Sequence, residues 1–252
     1  MDEGSVEFAK VSYALPSSAS GDAGRLLLKD VSLRIEAGTT TALLGRSGSG
    51  KTTLLRMVNG LVRPTSGEVR VSGRMVGESD PVELRRGIGY VIQETGLFPH
   101  MTVERNAGMA LELAGRSDSG RVRDVLGLAG IEYDGMRERY PWQLSGGQRQ
   151  RVGVARALAM DPPVMLMDEP FGALDPLTRA EMQTMLRELM GKVRKTVLLV
   201  THDLDEALYL AQRVVFLEAG VVVADLAAGD VLGSSNAKVR EYVGAVHRAV
   251  RN

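Results

Sequence analysis

The run Gly45-Arg46-Ser47-Gly48-Ser49-Gly50-Lys51-Thr52-Thr53 combines a pliable backbone, a lysine cation and several hydroxyls at a spacing suited to a chain of phosphates. Gly45, Gly50, Lys51 and Thr52 stand in the register of the phosphate-loop pattern. The glycines allow the backbone to fold so that successive N–H groups point inward, and a helix starting here adds its positive N-terminal end. Lys51 is expected to reach the β and γ phosphates of a nucleotide, and the Thr52 hydroxyl to help hold Mg²⁺. A glycine-rich strand-to-helix turn with a chance Lys-Thr is the plainer alternative. The apolar strand pattern before the run and the helical pattern after it favour the phosphate reading. Alone, this motif says nucleotide phosphate and no more.

A second group of residues could work on such a phosphate. Val164-Met165-Leu166-Met167 is an apolar strand ending in Asp168-Glu169-Pro170. Asp168 is placed to meet Mg²⁺, directly or through a water, and Glu169 to orient and activate an attacking water. By themselves these two carboxylates would be a solvated turn before a proline; the phosphate loop upstream tips the reading toward chemistry. His202 follows the strand Val197–Val200 through Thr201 and could contact the γ-phosphate. Gln93 ends another strand and could touch Mg²⁺ or the water. Both are plain polar turn residues when taken singly. Leu144-Ser145-Gly146-Gly147-Gln148 opens a helical run in which Val152, Ala155 and Leu158 share a face. Ser145 is suited to cap that helix, and the glycines leave its first amides open. This makes either an ordinary helix start or a second anion site without a lysine, which needs phosphates held elsewhere.

The elements that must position these residues alternate. Strand character runs over Val6–Tyr13, Leu26–Glu36 and Thr39–Leu44, with a turn-rich loop at Pro16–Gly21 and a turn at Ala37-Gly38. A helix from about Lys51 puts Leu54, Leu55 and Val58 on one face and stops at Gly60. Glu68–Ser72 and Ile88–Ile92 read as strands. From about Thr102 to Met160 the period becomes helical, as in an inserted lobe. Strand and helix then alternate again: Val164–Met167, Pro176–Met190, Val197–Val200, Leu204–Ala211, two short strands within Val214–Ala228, and a terminal helix over Lys238–Val250. Short apolar runs alternating with helices imply an α/β fold whose mainly parallel sheet is covered on both faces.

The ordered set of phosphate loop, Gln93, LSGGQ at 144–148, DEP at 168–170, ALD at 173–175 and His202 resembles the ABC ATPase family over nearly the whole chain. The resemblance implies a P-loop NTPase core with an N-terminal antiparallel β region and an inserted helical subdomain. The core would take residues 1–93 and 161–252, and the subdomain about 94–160, in a single ABC ATPase domain of 1–252 with no C-terminal regulatory domain. It implies ATP and Mg²⁺ as ligands and a head-to-tail homodimer. In that dimer Ser145, Gly146, Gly147, Gln148 and Asp175 of one copy face the nucleotide held by the other. It also implies that Tyr13 stacks on adenine, although Tyr13 could be a core aromatic and Asp175 a helix N-cap before Pro176.

The totals narrow the class. Lys+Arg and Asp+Glu are both 31, which gives no bulk pull toward nucleic acid, and there is no cysteine for disulfides or cysteine metal sites. Arg137, Arg139, Arg149, Arg151 and Arg156 read mostly as solvated helix faces. No stretch approaches the roughly 20 apolar residues that span a bilayer, and the acidic start, Met1-Asp2-Glu3-Gly4, is unlike a signal peptide. A membrane role would therefore come through partners. Gln93–Val103 resembles importer ATPases, in which this segment receives a coupling helix from a membrane permease; Phe98, Pro99 and His100 are the contact candidates. Arg85–Gln93 with Leu97–His100, and Tyr140–Leu144 with Gln148–Leu158, look like the ATPases of glycine betaine, carnitine and choline importers. That resemblance implies a peripheral protein at the cytoplasmic membrane face, served indirectly by a solute-binding protein. Arg105 departs from the pattern, standing where an acidic residue is common. Importers of amino acids, sulfonates or polyamines are the rivals, with a non-transport ABC ATPase as a reading from another class.

Overall fold

In the computed structural model, residues 3–15, 25–93 and 95–248 are described. The expected loop Pro16–Gly21, the residues Met1, Asp2 and Glu94, and the expected helix end at Ala249-Val250 lie outside them. The elements follow in chain order. First come β1 (Val6–Ala14), β2 (Leu26–Ile35), β3 (Thr40–Leu44), α1 (Lys51–Val58), β4 (Ser66–Val71), β5 (Arg74–Met75), α2 (Pro81–Arg86) and β6 (Ile88–Val91). Next are α3 (Val103–Leu113), α4 (Ser119–Leu128), α5 (Tyr133–Met136), α6 (Gly146–Leu158), β7 (Val164–Asp168) and α7 (Pro176–Val193). The last are β8 (Thr196–Thr201), α8 (Leu204–Leu210), β9 (Arg213–Glu218), β10 (Val221–Ala227) and α9 (Ala237–Arg248). The chain divides into two compact units, Met1–Leu84 with Thr196–Asn252, and Arg85–Lys195.

The first unit holds an antiparallel sheet in the order β2-β1-β4-β5 and a second group of strands in the order β10-β9-β3-β8. In β2 the inward residues Val31, Leu33 and Ile35 alternate with exposed Ser32 and Arg34, the period-two pattern of a one-sided strand. β3 lies parallel to both β8 and β9, with Leu44 opposite Thr201 on one side and Phe216 on the other. Every residue of β3 and β8 is buried, as expected for parallel strands without a solvent face. Ala42, Leu44, Val214 and Phe216 pack with Leu204, Ala207 and Val239, which brings α8 and α9 onto one face of these strands. Leu54, Leu55 and Val58 of α1 are fully buried. Asn59 caps that helix, and Gly60, at φ 66°, takes the left-handed turn that ends it.

In the second unit β6 and β7 pair in parallel, with Val91 opposite Met167, and α6 packs on β6 while α3, α4 and α6 pack together. The helical character expected from Thr102 resolves into four α-helices and a 3₁₀ turn at Pro141–Gln143. Val152, Ala155 and Leu158 are buried along α6. α7 runs a turn beyond the expected Met190, to Val193, where Arg194 at φ 46° closes it in the left-handed region. The reading as solvated faces holds for exposed Arg139 and is corrected for Arg149, Arg151 and Arg156. Arg149 donates to Leu144 O at 2.8 Å, Arg151 to Ala129 O at 3.1 Å, and Arg156 to both Thr95 O and Gly96 O at 2.7 Å. Guanidinium forks supply donors to carbonyls that helix ends and turns leave over. Burial of Arg156 lowers its pKa, as expected when a cation is taken out of water.

Candidate functional site

In the first unit, β3 delivers the chain into the phosphate loop. A Cβ at Gly45 would lie 2.1 Å from Leu217 O of β9, so the loop leaves the sheet through a gap that only glycine fits. Gly50 has φ 101°, and a Cβ there would meet Leu28 Cδ2 at 2.5 Å. Gly48 differs: its φ of 77° requires glycine, yet nothing lies within 4 Å of where its Cβ would be. Two glycines are thus demanded by packing, and the third leaves space open. α1 begins at Lys51 with no side-chain cap and no acidic residue in its first turn, so the helix's own start brings no negative charge to its positive end.

Lys51 is only 5% exposed, and its Nζ donates to Gly45 O at 2.7 Å and Arg46 O at 3.0 Å. Removing an ammonium from water costs several kcal/mol, so a cation held here requires such oxygens. The Ser49 hydroxyl is buried with no hydrogen-bond partner among the described residues. Thr52 and Thr53 are half-buried, while Arg46 and Ser47 are exposed. A buried cation, an unpartnered hydroxyl, an uncapped helix start and open space at Gly48 fit a polyphosphate. Tyr13 of β1 is half-buried and pairs with Leu28, the residue that packs on Gly50. His202 is exposed just beyond β8, next to Thr201, which lies opposite Leu44.

In the second unit the parallel register of β6 and β7 brings Gln93 and the Asp168-Glu169 pair to the same strand ends. Asp168 is 5% exposed and accepts from the Tyr90 hydroxyl at 3.4 Å. Glu169 stands at φ 44°, a conformation that costs an ordinary residue about 1–2 kcal/mol and concentrates at functional sites. A Cβ at Gly172 would lie 3.6 Å from Gln93 Nε2 and 3.8 Å from Glu169 Oε2, so the amide and the carboxylate converge over this glycine. Sequence reasoning passed over Gly172, although it lies between the DEP and ALD motifs. Among the described residues no cluster of three or more His, Cys, Asp or Glu could hold a metal alone. A single buried carboxylate suits a magnesium ion whose remaining ligands come from phosphates and water.

The LSGGQ segment starts α6 with a reciprocal cap. Ser145 Oγ accepts from Gln148 N at 3.2 Å, and Gln148 Oε1 accepts from Ser145 N at 2.9 Å. A Cβ at Gly147 would meet Thr178 Cγ2 at 2.6 Å. Thr178 in turn donates its backbone N–H to Asp175, the N-cap of α7, at 3.1 Å. The N-cap alternative for Asp175 is therefore present in the fold, whatever else the residue does. Hydrogen bonds from the Thr178 side chain and backbone hold the Asp175 carboxyl below its ordinary pKa.

The segment Phe98-Pro99-His100 is exposed, with the Phe98 and His100 rings edge to face at 5.9 Å. Its support was missed from sequence. Fully buried Asn106 accepts from Phe98 N at 2.7 Å and donates to Phe98 O, Met101 O and Thr102 O at 3.0–3.1 Å. The available signal was a polar residue beside Val103, Ala107 and Leu111 on the buried stripe of α3. Among the described residues no helix is long and apolar enough to cross a membrane.

The family model described as "ABC transporter" matches residues 28–172. The chain is 45% identical over 227 residues to the choline transport ATP-binding protein OpuBA of Bacillus subtilis, covering 88% of this chain and 59% of that protein. It is 48% identical over 200 residues to the glycine betaine uptake system ATP-binding protein YehX of Escherichia coli, covering 78% and 64%. It is also 48% identical over 196 residues to the sulfate/thiosulfate import ATP-binding protein CysA of Nocardia farcinica, covering 77% and 58%. The chain thus spans about three-fifths of the length of these curated relatives. Among solved structures it resembles the ATP-binding cassette MJ0796 in a dimeric post-hydrolysis state bound to ADP and Pi. The TM-score is 0.77 at 33% identity, over 88% of this chain and 98% of that one. With the fold, the ordered motifs and the match from 28 to 172 in agreement, the chain belongs to the ABC transporter family.

Proposed function

We propose that this chain binds and hydrolyses ATP as one of two like subunits that energise a membrane importer. The observation that carries the reading is the cradle itself. Within one short turn lie a buried ammonium resting on backbone carbonyls, a buried hydroxyl with no partner among the described residues, an uncapped helix start and open space. On binding, Lys51 exchanges the carbonyls of Gly45 and Arg46 for β and γ phosphate oxygens, and the amides from Arg46 to Thr53 line the polyphosphate. Tyr13 stacks on the adenine. Thr52, Asp168 and Gln93 would hold Mg²⁺, which would supply neutralisation of the phosphate charge. Glu169 accepts a proton from the attacking water, and Gln93 and His202 hold that water and the γ-phosphate in line. The bond from the γ phosphorus to the bridging oxygen breaks, leaving ADP and inorganic phosphate. The assignment of Gln93, Asp168, Glu169 and His202 to one nucleotide with the phosphate loop rests on the ordered motif set.

Two copies assemble head to tail, each offering Ser145, Gly146, Gly147, Gln148 and Asp175 to the ATP held by the other. ATP favours the closed pair because it binds that state better than the open one, and hydrolysis removes the preference. Phe98, Pro99 and His100 meet the permease, and the protein sits peripherally on the cytoplasmic face, with a solute-binding protein acting through the permease. For the cargo we favour quaternary amines such as glycine betaine, carnitine and choline, on the stretches 85–100 and 140–158. The equal identity of a relative named for sulfate and thiosulfate makes another small solute the second reading. Uptake in cells lacking this chain decides between them: loss of choline and betaine uptake with sulfate uptake intact supports the first, and the converse supports the second.

A further inference from the structure

We propose that Tyr242, on the C-terminal helix α9, is a positioning residue that holds His202 in its working orientation. This rests on the reading of His202 as a residue of the ATP site. The Tyr242 hydroxyl donates to the His202 backbone carbonyl at 2.7 Å, across 40 positions of sequence. His202 lies in a tight turn fixed on its other side by Asp203 N, which donates to Thr201 Oγ1 at 3.0 Å. Asp203 then caps α8 through Glu206 N at 3.1 Å. The carbonyl of His202 orients the peptide that joins it to this cap, so the tyrosine fixes the backbone angle from which the imidazole projects.

The hydroxyl is itself held. The Tyr242 ring packs edge-on against Phe216 at 5.8 Å, and Phe216 lies opposite Leu44, the residue before the phosphate loop. One residue earlier, Glu241 Oε1 approaches Arg46 Nη2 of that loop at 3.9 Å. Both side chains of this pair are largely exposed, so it adds little energy and serves only to mark how near α9 comes to the loop. Lys238 pairs with Glu218 at 3.1 Å, which ties the start of α9 to the end of β9. Burial, followed by the charge of Asp203, raises the Tyr242 pKa, so the phenol stays protonated and remains a donor. The helix therefore touches both the cradle strand and the histidine turn, and it reaches the histidine through one hydroxyl.

Tyr242→Phe tests this, because it keeps the ring against Phe216 and removes only the donor. Loss of one neutral hydrogen bond is worth about 1 kcal/mol, which converts to roughly a fivefold change in rate. The expected result is a fall of about 3–10-fold in kcat for ATP hydrolysis with KM for ATP unchanged. The imidazole resonances of His202, identified by their loss in His202→Ala, should shift or broaden while those of His100 stay in place. A kcat within twofold of the parent, or unmoved His202 resonances, overturns the proposal. Normal turnover by His202→Ala would instead remove His202 from the ATP site, and the proposal falls with that parent reading; the resonances of the Tyr242→Phe protein still tell whether the tyrosine orders the turn.

Discussion

In the function proposed above, Lys51 and Glu169 carry the two halves of the chemistry, and each has a physical signature besides its motif. Lys51 is a buried cation whose present partners are carbonyls that an incoming polyphosphate would replace. Lys51→Ala is expected to weaken ATP binding by at least tenfold, since a charged hydrogen bond is worth about 1.5–3 kcal/mol. Isothermal titration with ATP measures it, and unchanged affinity would exclude Lys51 from the cradle. Asp175 gives a pH-dependent test at the same scale. Its folded pKa is depressed, so its contribution to stability is present above the unfolded value of about 3.9 and is lost as pH falls through the folded pKa. Asp175→Asn keeps a capping oxygen but carries no charge. Its stability relative to the parent should fall short near neutral pH and converge with it in acid, as followed by thermal melts across that range.

Helices and turns set where these residues stand, and tight contacts between elements make that placement testable. The start of α6 approaches α7 so closely that Gly147 has no room for a methyl group beside Thr178. Gly147→Ala should force the helices apart at a cost of about 1–3 kcal/mol and lower ATP turnover. Adding Thr178→Ser, which removes the obstructing Cγ2 and keeps the hydroxyl, should recover most of the stability; no recovery would show that the methyl contact is not the limit. The turn before α3 depends on Asn106 in a different way. Asn106→Ala leaves the Phe98 N–H and the Met101 carbonyl without this partner, a loss of about 1–3 kcal/mol, while the Phe98 and Thr102 carbonyls keep their backbone donors. Limited proteolysis should then cut at 98–102 faster than in the parent, with ATP affinity unaltered, because the side-chain bonds of Asn106 go to this turn and not to a residue assigned to the nucleotide.

At the scale of the whole molecule, the proposed function makes ATP the link between two copies. A chain with balanced charge has little long-range repulsion between copies to overcome. Glu169→Gln retains the side-chain shape while removing the base. It should therefore bind ATP, hydrolyse it at less than about 1% of the parental rate, and double its mass in solution. Light scattering with and without ATP reads this directly. Dimers that form equally well without nucleotide, or a mass that never changes, would rule out ATP as the link.

The residues alone determined the glycine-rich turn before α1 and most of the strand and helix order. These depend on contiguous signals: glycines in a loop, a lysine at a helix start, period-two burial in β2 and the buried faces of α1 and α6. The short α2 and β5 were not anticipated, since six- and two-residue elements carry too little periodicity to register. Tertiary structure decided what distant segments bring to one place. The convergence of Gln93 and Glu169 over Gly172 follows from the parallel register of β6 and β7. The grip of Asn106 on the 98–102 turn, the use of Arg149, Arg151 and Arg156 by backbone carbonyls, and the bond from Tyr242 to His202 all follow from packing. Local pattern reports which face of an element is apolar; it does not report which carbonyl will arrive opposite a given donor, because that is set by how the elements pack once those faces are buried.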